Sequence, residues 1–133
     1  MGRAHYTCIL GGTMLIKDVA HLPDVQAADY TELREILHPE RDDVALRYSL
    51  ALAVVAPGEQ SLPHKLATTE VYYILSGTGT MHIEDEIEPV HPGQTVYIPP
   101  GKVQRIENVG RMPLAFLCIV DPAWREEDEH VVE

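Results

Sequence analysis

Basic residues, cysteines and long apolar runs are all scarce in this chain. Its 133 residues include 10 Lys and Arg against 21 Asp and Glu, a formal charge of −11 at pH 7. So few cations argue against a nucleic-acid partner, because that binding rests on neutralising phosphates with Lys and Arg. The same deficit argues against an anionic membrane surface. The longest apolar runs, Leu50–Ala56 and Leu114–Val120, are strand length, far short of the roughly 20 residues of a membrane span. The first residues hold no sustained apolar core of the signal-peptide kind. The two cysteines, Cys8 and Cys118, have no Cys-x-x-Cys or His-rich context. They read as free thiols in a reducing, cytoplasmic compartment.

What is present describes an ordinary soluble globule. The apolar fraction is 45% and the charged fraction 23%, both usual values. The length fits one domain, and a chain of this size folds without needing a disulfide or a metal. Residues 1–13 show no clear period and end near Gly11-Gly12. They read as an N-terminal extension, or as a strand added to a partner subunit. The barrel is expected over 14–122. An acidic C-terminal tail follows over 123–133, where Arg125 stands with Glu126, Glu127, Asp128, Glu129 and Glu133. Such a run is expected to be solvated.

Asp29–Leu37 places Leu33, Ile36 and Leu37 at helical spacing, with Asp29 or Thr31 able to cap and His38-Pro39 to stop it. This predicts a short N-terminal helical segment. From Val44 onward, short apolar or alternating runs are divided by Pro and Gly signals such as Pro57-Gly58, Ser76-Gly77, Pro92-Gly93 and Pro100-Gly101. That punctuation predicts strands over 44–56, 62–66, 70–75, 80–84, 87–90, 95–98, 103–107 and 114–120, an all-β sandwich or barrel. A small closed barrel removes sheet edges and encloses a cavity lined by side chains.

Two spaced residue sets sharpen this reading. The first is Gly58, His64, Leu66, Glu70 and Gly77; the second is Gly93, Pro99, Gly101, Gln104 and Asn108. Their spacing resembles the two motifs of the cupin superfamily, G-x5-H-x-H-x3–4-E-x6-G and G-x5-P-x-G-x2-H-x3-N. The resemblance implies a double-stranded β-helix, or jelly-roll β-barrel. The glycines fall at turns where a positive φ is cheap only for glycine. His64 and Leu66 share one strand face, as do Glu70, Tyr72 and Ile74. If His64 and Glu70 face the cavity, then Leu66 and Tyr72 line it too.

In that family the motif histidines and glutamate hold a divalent metal, such as Zn, Mn, Ni or Fe. Carried over position by position, only His64 and Glu70 keep the expected types. Leu66 stands in place of the second histidine and Gln104 in place of the last. Leucine cannot ligate, and a glutamine carbonyl is a weak neutral donor. Two readings stay open. One is a weak metal site on His64, Glu70 and Gln104, completed by water. The other is a metal-free, hydrogen-bonded cluster of the same three side chains.

Other polar residues are weaker candidates. Alternation favours Met81 pointing inward and His82 outward, and His91 lies at a turn. His5, His21, His38 and His130 read as exposed. Tyr48, Tyr73 and Tyr97 read as packing residues, and Arg47, Lys102 and Arg105 as solvated. Tyr72, on the face of Glu70, is the tyrosine expected to touch a ligand.

Three functions follow from different classes. The first is a small-molecule binding module whose pocket contains His64, Leu66, Glu70, Tyr72 and Gln104. The second is a metal-dependent cupin enzyme, such as a dioxygenase, decarboxylase or sugar isomerase, whose metal would be a Lewis acid. The third is a metal-free isomerase or epimerase using His64 or Glu70 to move a proton. Single-barrel cupins commonly pair, and Leu15, Ile16, Leu33, Ile36 and Leu37 need burial, so a homodimer is expected.

Overall fold

The computed structural model describes residues 8–11 and 13–132. Residues 1–7 and 12 of the expected N-terminal extension lie outside the described residues. The chain forms thirteen strands among the described residues: β1 (Cys8–Gly11), β2 (Met14–Lys17), β3 (Val25–Gln26), β4 (Glu32–Leu37), β5 (Ser49–Val55), β6 (His64–Leu66), β7 (Thr69–Ser76), β8 (Gly79–Ile83), β9 (Glu86–Val90), β10 (Thr95–Ile98), β11 (Gln104–Asn108), β12 (Leu114–Asp121) and β13 (Glu129–Val131). One sheet has the order β10-β7-β12-β5-β4-β3 and a second has β13-β6-β11-β8-β9, while β1 and β2 pair separately. All pairings are antiparallel. This is the all-β jelly-roll barrel expected from the sequence. Among the described residues no helix is long and apolar enough to cross a membrane.

Alternation builds the core. On β12, Leu114, Phe116, Cys118 and Val120 are buried while the residues between them are half-buried. Glu70, Tyr72 and Ile74 on β7 and Gln104, Ile106 and Asn108 on β11 follow the same period. Fully burying an aliphatic or aromatic side chain of this kind contributes roughly 1.5–3 kcal/mol. Gly58, Gly77, Gly93 and Gly101 all have positive φ. At Gly77 the need is twofold, because an added Cβ would also sit 2.5 Å from the Pro113 carbonyl oxygen.

Two expectations are corrected here. The helix predicted within Asp29–Leu37 is strand β4, paired with β5. A register shift between Glu35 and Leu37 inserts an extra residue, so Leu33 lies opposite Ala53 but Leu37 opposite Leu50. Such a bulge reverses the inside-outside phase and imitates a spacing of three and four. The short helical elements are instead 3-10 turns over Val19–His21 and Glu126–Asp128.

The acidic end does not stand off in solvent. β13 pairs with β6, Ala67 N donates to the Asp128 carbonyl, and the buried Asp128 carboxylate receives two bonds from Arg125. Arg125, Glu126 and Glu127 stay exposed, as a solvated run would, while Asp128 is buried.

Candidate functional site

The barrel is filled unevenly. Towards one end, Ile74, Met81, Ile106, Leu114 and Phe116 pack together. Towards the other, β5 turns Ser49, Ala51 and Ala53 to the interior, and these small side chains leave a cavity of about 580 Å³. Its walls are mostly apolar, with Leu33, Leu66, Phe116, Val120 and Trp124 among them. His64, Leu66, Glu70 and Tyr72 all line it.

Gln104 is also buried and joins this group from behind. β11 places it opposite His64 on β6. Its side-chain amide links two neighbours on β7. Tyr72 Oη donates to Gln104 Oε1 at 2.9 Å, and Gln104 Nε2 donates to Glu70 Oε1 at 2.9 Å. The Tyr72 ring packs on Phe116 with centroids 4.4 Å apart, which fixes the hydroxyl at one end of the chain.

Burial pushes the Glu70 carboxyl up from 4.5 to about 8; the Gln104 bond opposes this, and the charges of Asp29 and Glu129 add to it. Glu70 therefore holds its proton at neutral pH. Burial also pushes the Tyr72 hydroxyl and the Cys118 thiol well up, with Glu70 contributing to both.

As placed, His64, Glu70 and Gln104 do not fit a cation. Leu66 offers no donor, the Gln104 carbonyl already accepts from Tyr72, and one Glu70 oxygen already accepts from Gln104. His64 turns its Nε2 towards Asp29. Its Nδ1 lies 2.8 Å from the Leu62 carbonyl oxygen, and its Nε2 lies 3.4 Å from Asp29 Oδ2.

The residues that sequence reasoning missed are Asp29 and Glu129. Ligand atoms of Asp29, His64 and Glu129 all lie within 4.8 Å of one another. Asp29 is held by an Asx turn in which both the backbone N–H and the hydroxyl of Thr31 donate to Oδ1. The Asp29-Tyr30-Thr31 pattern was a signal for that turn. Glu129 arrives through the β13–β6 pairing, opposite Leu66, and no local pattern announces it.

The weaker candidates stay away from the cavity. His82 points outward and bonds Glu107 at 2.6 Å, while Met81 is buried. His91, Tyr48, Tyr73, Tyr97, Arg47 and Lys102 are exposed. Arg105 pairs with Glu107. His38 corrects the expectation of an exposed residue: it is 1% exposed, with Nε2 2.8 Å from the Trp124 carbonyl oxygen and Nδ1 accepting from Glu40 N. It anchors the segment that leads to β13. The cations at the cavity wall, Lys17 and Arg41, pair with Asp42 and Glu35.

Residues 51–120 match the Cupin domain family. The chain is a cupin. Among the proteins similar to it, an uncharacterised protein of Methanocaldococcus jannaschii is 42% identical over 106 residues, covering 79% of this chain and 84% of that protein. A mannose-1-phosphate guanylyltransferase of Klebsiella pneumoniae is 32% identical over 120 residues, covering 85% of this chain. This cupin spans only 25% of that enzyme's length. In structure it is similar to a Cupin 2 conserved barrel domain protein from Salinispora arenicola, with a TM-score of 0.66 at 21% identity, over 83% of this chain and 86% of that one. That likeness is one of fold.

Proposed function

We propose that this cupin binds a small molecule in the cavity beside β5, with the metal position of the family motif replaced by the Tyr72–Gln104–Glu70 hydrogen-bond chain. That hydrogen-bond chain is the observation that carries the reading, since it engages the Gln104 carbonyl and one Glu70 oxygen that a motif-bound cation would need. The cavity supports it as well. Small-molecule sites typically measure about 300–1,000 Å³, with apolar walls and a few convergent polar groups. Here those groups are Glu70 and His64, with Asp29 and Glu129 beside them. The acidic bias favours an uncharged or cationic ligand over a free anion.

Thermal melts against a panel of small metabolites test this reading. At a hundred times its Kd, a ligand raises Tm by roughly 5–10 °C. Ala51→Leu fills the cavity and is expected to abolish the shift. A ligand that stabilises this variant as much as the parent binds elsewhere and removes the proposal.

A second reading rests on Glu70. A carboxyl that keeps its proton near neutral pH and lines a cavity suits a general acid in a metal-free isomerase or epimerase. A turnover found for the protein would then fall with Glu70→Gln; unchanged turnover ends that reading.

We also infer a homodimer through the outer face of the six-stranded sheet. Tyr73, Leu75 and Tyr97 are 40–59% exposed there. Tyr73 and Tyr97 sit diagonally across the β7–β10 ladder, within reach of one another. Light scattering at micromolar concentration should give twice 14.8 kDa; a single 14.8 kDa species counts against it.

A further inference from the structure

Three oriented side chains converge in a set that shares only His64 with the family's metal motif. Asp29 comes from the turn before β4, His64 from β6 and Glu129 from β13, and their ligand atoms lie within 4.8 Å of one another. Each uses one atom to fix its orientation and leaves another without a hydrogen bond.

His64 is the most telling. It is 3% exposed, and its Nδ1 lies 2.8 Å from the Leu62 carbonyl oxygen. A carbonyl only accepts, so Nδ1 carries the hydrogen. In the neutral ring, Nε2 then presents a lone pair. That atom makes no hydrogen bond and faces Asp29 Oδ2 at 3.4 Å. A lone pair aimed at a carboxylate oxygen is repelled unless positive charge lies between them. A backbone carbonyl on the far nitrogen is also the usual outer partner of a metal-bound imidazole.

The two acids repeat the arrangement. Thr31 N and Thr31 Oγ1 donate to Asp29 Oδ1 at 3.1 and 2.7 Å, leaving Oδ2 turned to His64. Trp124 Nε1 donates to Glu129 Oε1 at 2.8 Å, leaving Oε2 without a donor. No Lys or Arg among the described residues forms an ion pair with either carboxylate. Two buried or half-buried carboxylates with no Lys or Arg partner among the described residues are costly, and one divalent ion would balance them.

We propose that Asp29, His64 and Glu129 bind a divalent cation on the wall of the cavity, displaced from the motif position. Bond lengths of about 2.0–2.2 Å set neighbouring ligands roughly 3–4 Å apart, so atoms within 4.8 Å of one another need only a small shift to close on one ion. One imidazole with two carboxylates suits Mn, Fe or Zn better than thiophilic ions. Three protein ligands leave positions for water or for an oxygen-bearing ligand in the cavity. This does not depend on the small-molecule reading, because the ion binds with the cavity otherwise empty.

The test is Mn²⁺ titration of the untagged, chelator-treated chain. Free Mn²⁺ is counted by electron paramagnetic resonance, and quenching of Trp124, the single tryptophan, is followed in parallel. One equivalent is expected to bind and to quench Trp124, with Zn²⁺ competing. Asp29→Asn and Glu129→Gln keep the acceptors for Thr31 and Trp124, so both fold; each weakens binding by more than about tenfold. His82→Ala, on the outer surface, leaves it unchanged. No binding up to millimolar Mn²⁺ overturns the proposal and leaves His64 simply paired with Asp29. Binding that survives Asp29→Asn and Glu129→Gln but fails in Gln104→Leu also overturns it, because the ion then occupies the motif position.

Discussion

Two polar corners of the same cavity are built on opposite plans. In the motif corner, Tyr72, Gln104 and Glu70 face one another and spend their hydrogen-bonding groups internally. In the other corner, Asp29, His64 and Glu129 are each braced from behind, by Thr31, Leu62 and Trp124, and each has an atom within 4.8 Å of the others. The first corner is a closed polar network and resists desolvation. The second is open and gathers charge. A motif position therefore places a side chain, but the residues around it decide whether that side chain has anything left to give.

The largest effect should come from opening the closed corner. Gln104→Leu strands the Tyr72 hydroxyl and the Glu70 carboxyl in a water-poor interior, at about 1–3 kcal/mol for each group left unmatched. A loss of about 3 kcal/mol in urea unfolding is expected. Adding Tyr72→Phe should return part of it, because one stranded group is removed. If Gln104→Leu is as stable as the parent, the network contributes nothing and the contrast between the corners collapses.

The next effect is a pH slope. Glu70 sits near 8 in the native protein against an ordinary 4.5. Below about 4.5 both native and unfolded chains hold the proton, and the contribution is complete. Between 4.5 and 8 only the native chain holds it, so stability falls as pH rises, and it levels off above 8. The total is on the order of a few kcal/mol. Metal-free protein carrying Glu70→Gln should lose most of this slope; an equal slope in the variant would assign it to other groups.

The smallest effect is set by a pair of similar chemistry outside the barrel. His82 and Glu107 approach to 2.6 Å on the outer surface, with side chains 14% and 35% exposed. Water can replace either partner there, so His82→Ala should cost under about 1 kcal/mol. A loss rivalling that of Gln104→Leu would mean that burial is not what separates the corners.

Much of the barrel was written in its punctuation. The Pro and Gly signals marked the turns, and 95–98 coincides with β10 residue for residue. β4 was misread because its bulge breaks the alternation that identifies a strand. His38 was misread because its burial depends on Trp124, far along the chain. Within the site, period-two spacing was enough to bring His64, Leu66, Glu70 and Tyr72 to one cavity. Asp29 looked like a helix cap, and Glu129 looked like one acid among several in a charged run. Both belong to the cavity through contacts that no local pattern encodes.

The pairing of β13 with β6 has a consequence for how the protein matures. Asp29 and Glu129 stand a hundred residues apart in the sequence, and His64 lies between them. On a chain emerging from its N-terminus, Asp29 and His64 must wait for nearly everything else before Glu129 can dock beside them. Long-range closure of this kind arrives with the whole fold and not before it. An ion or ligand held there would therefore favour finished molecules over partial ones.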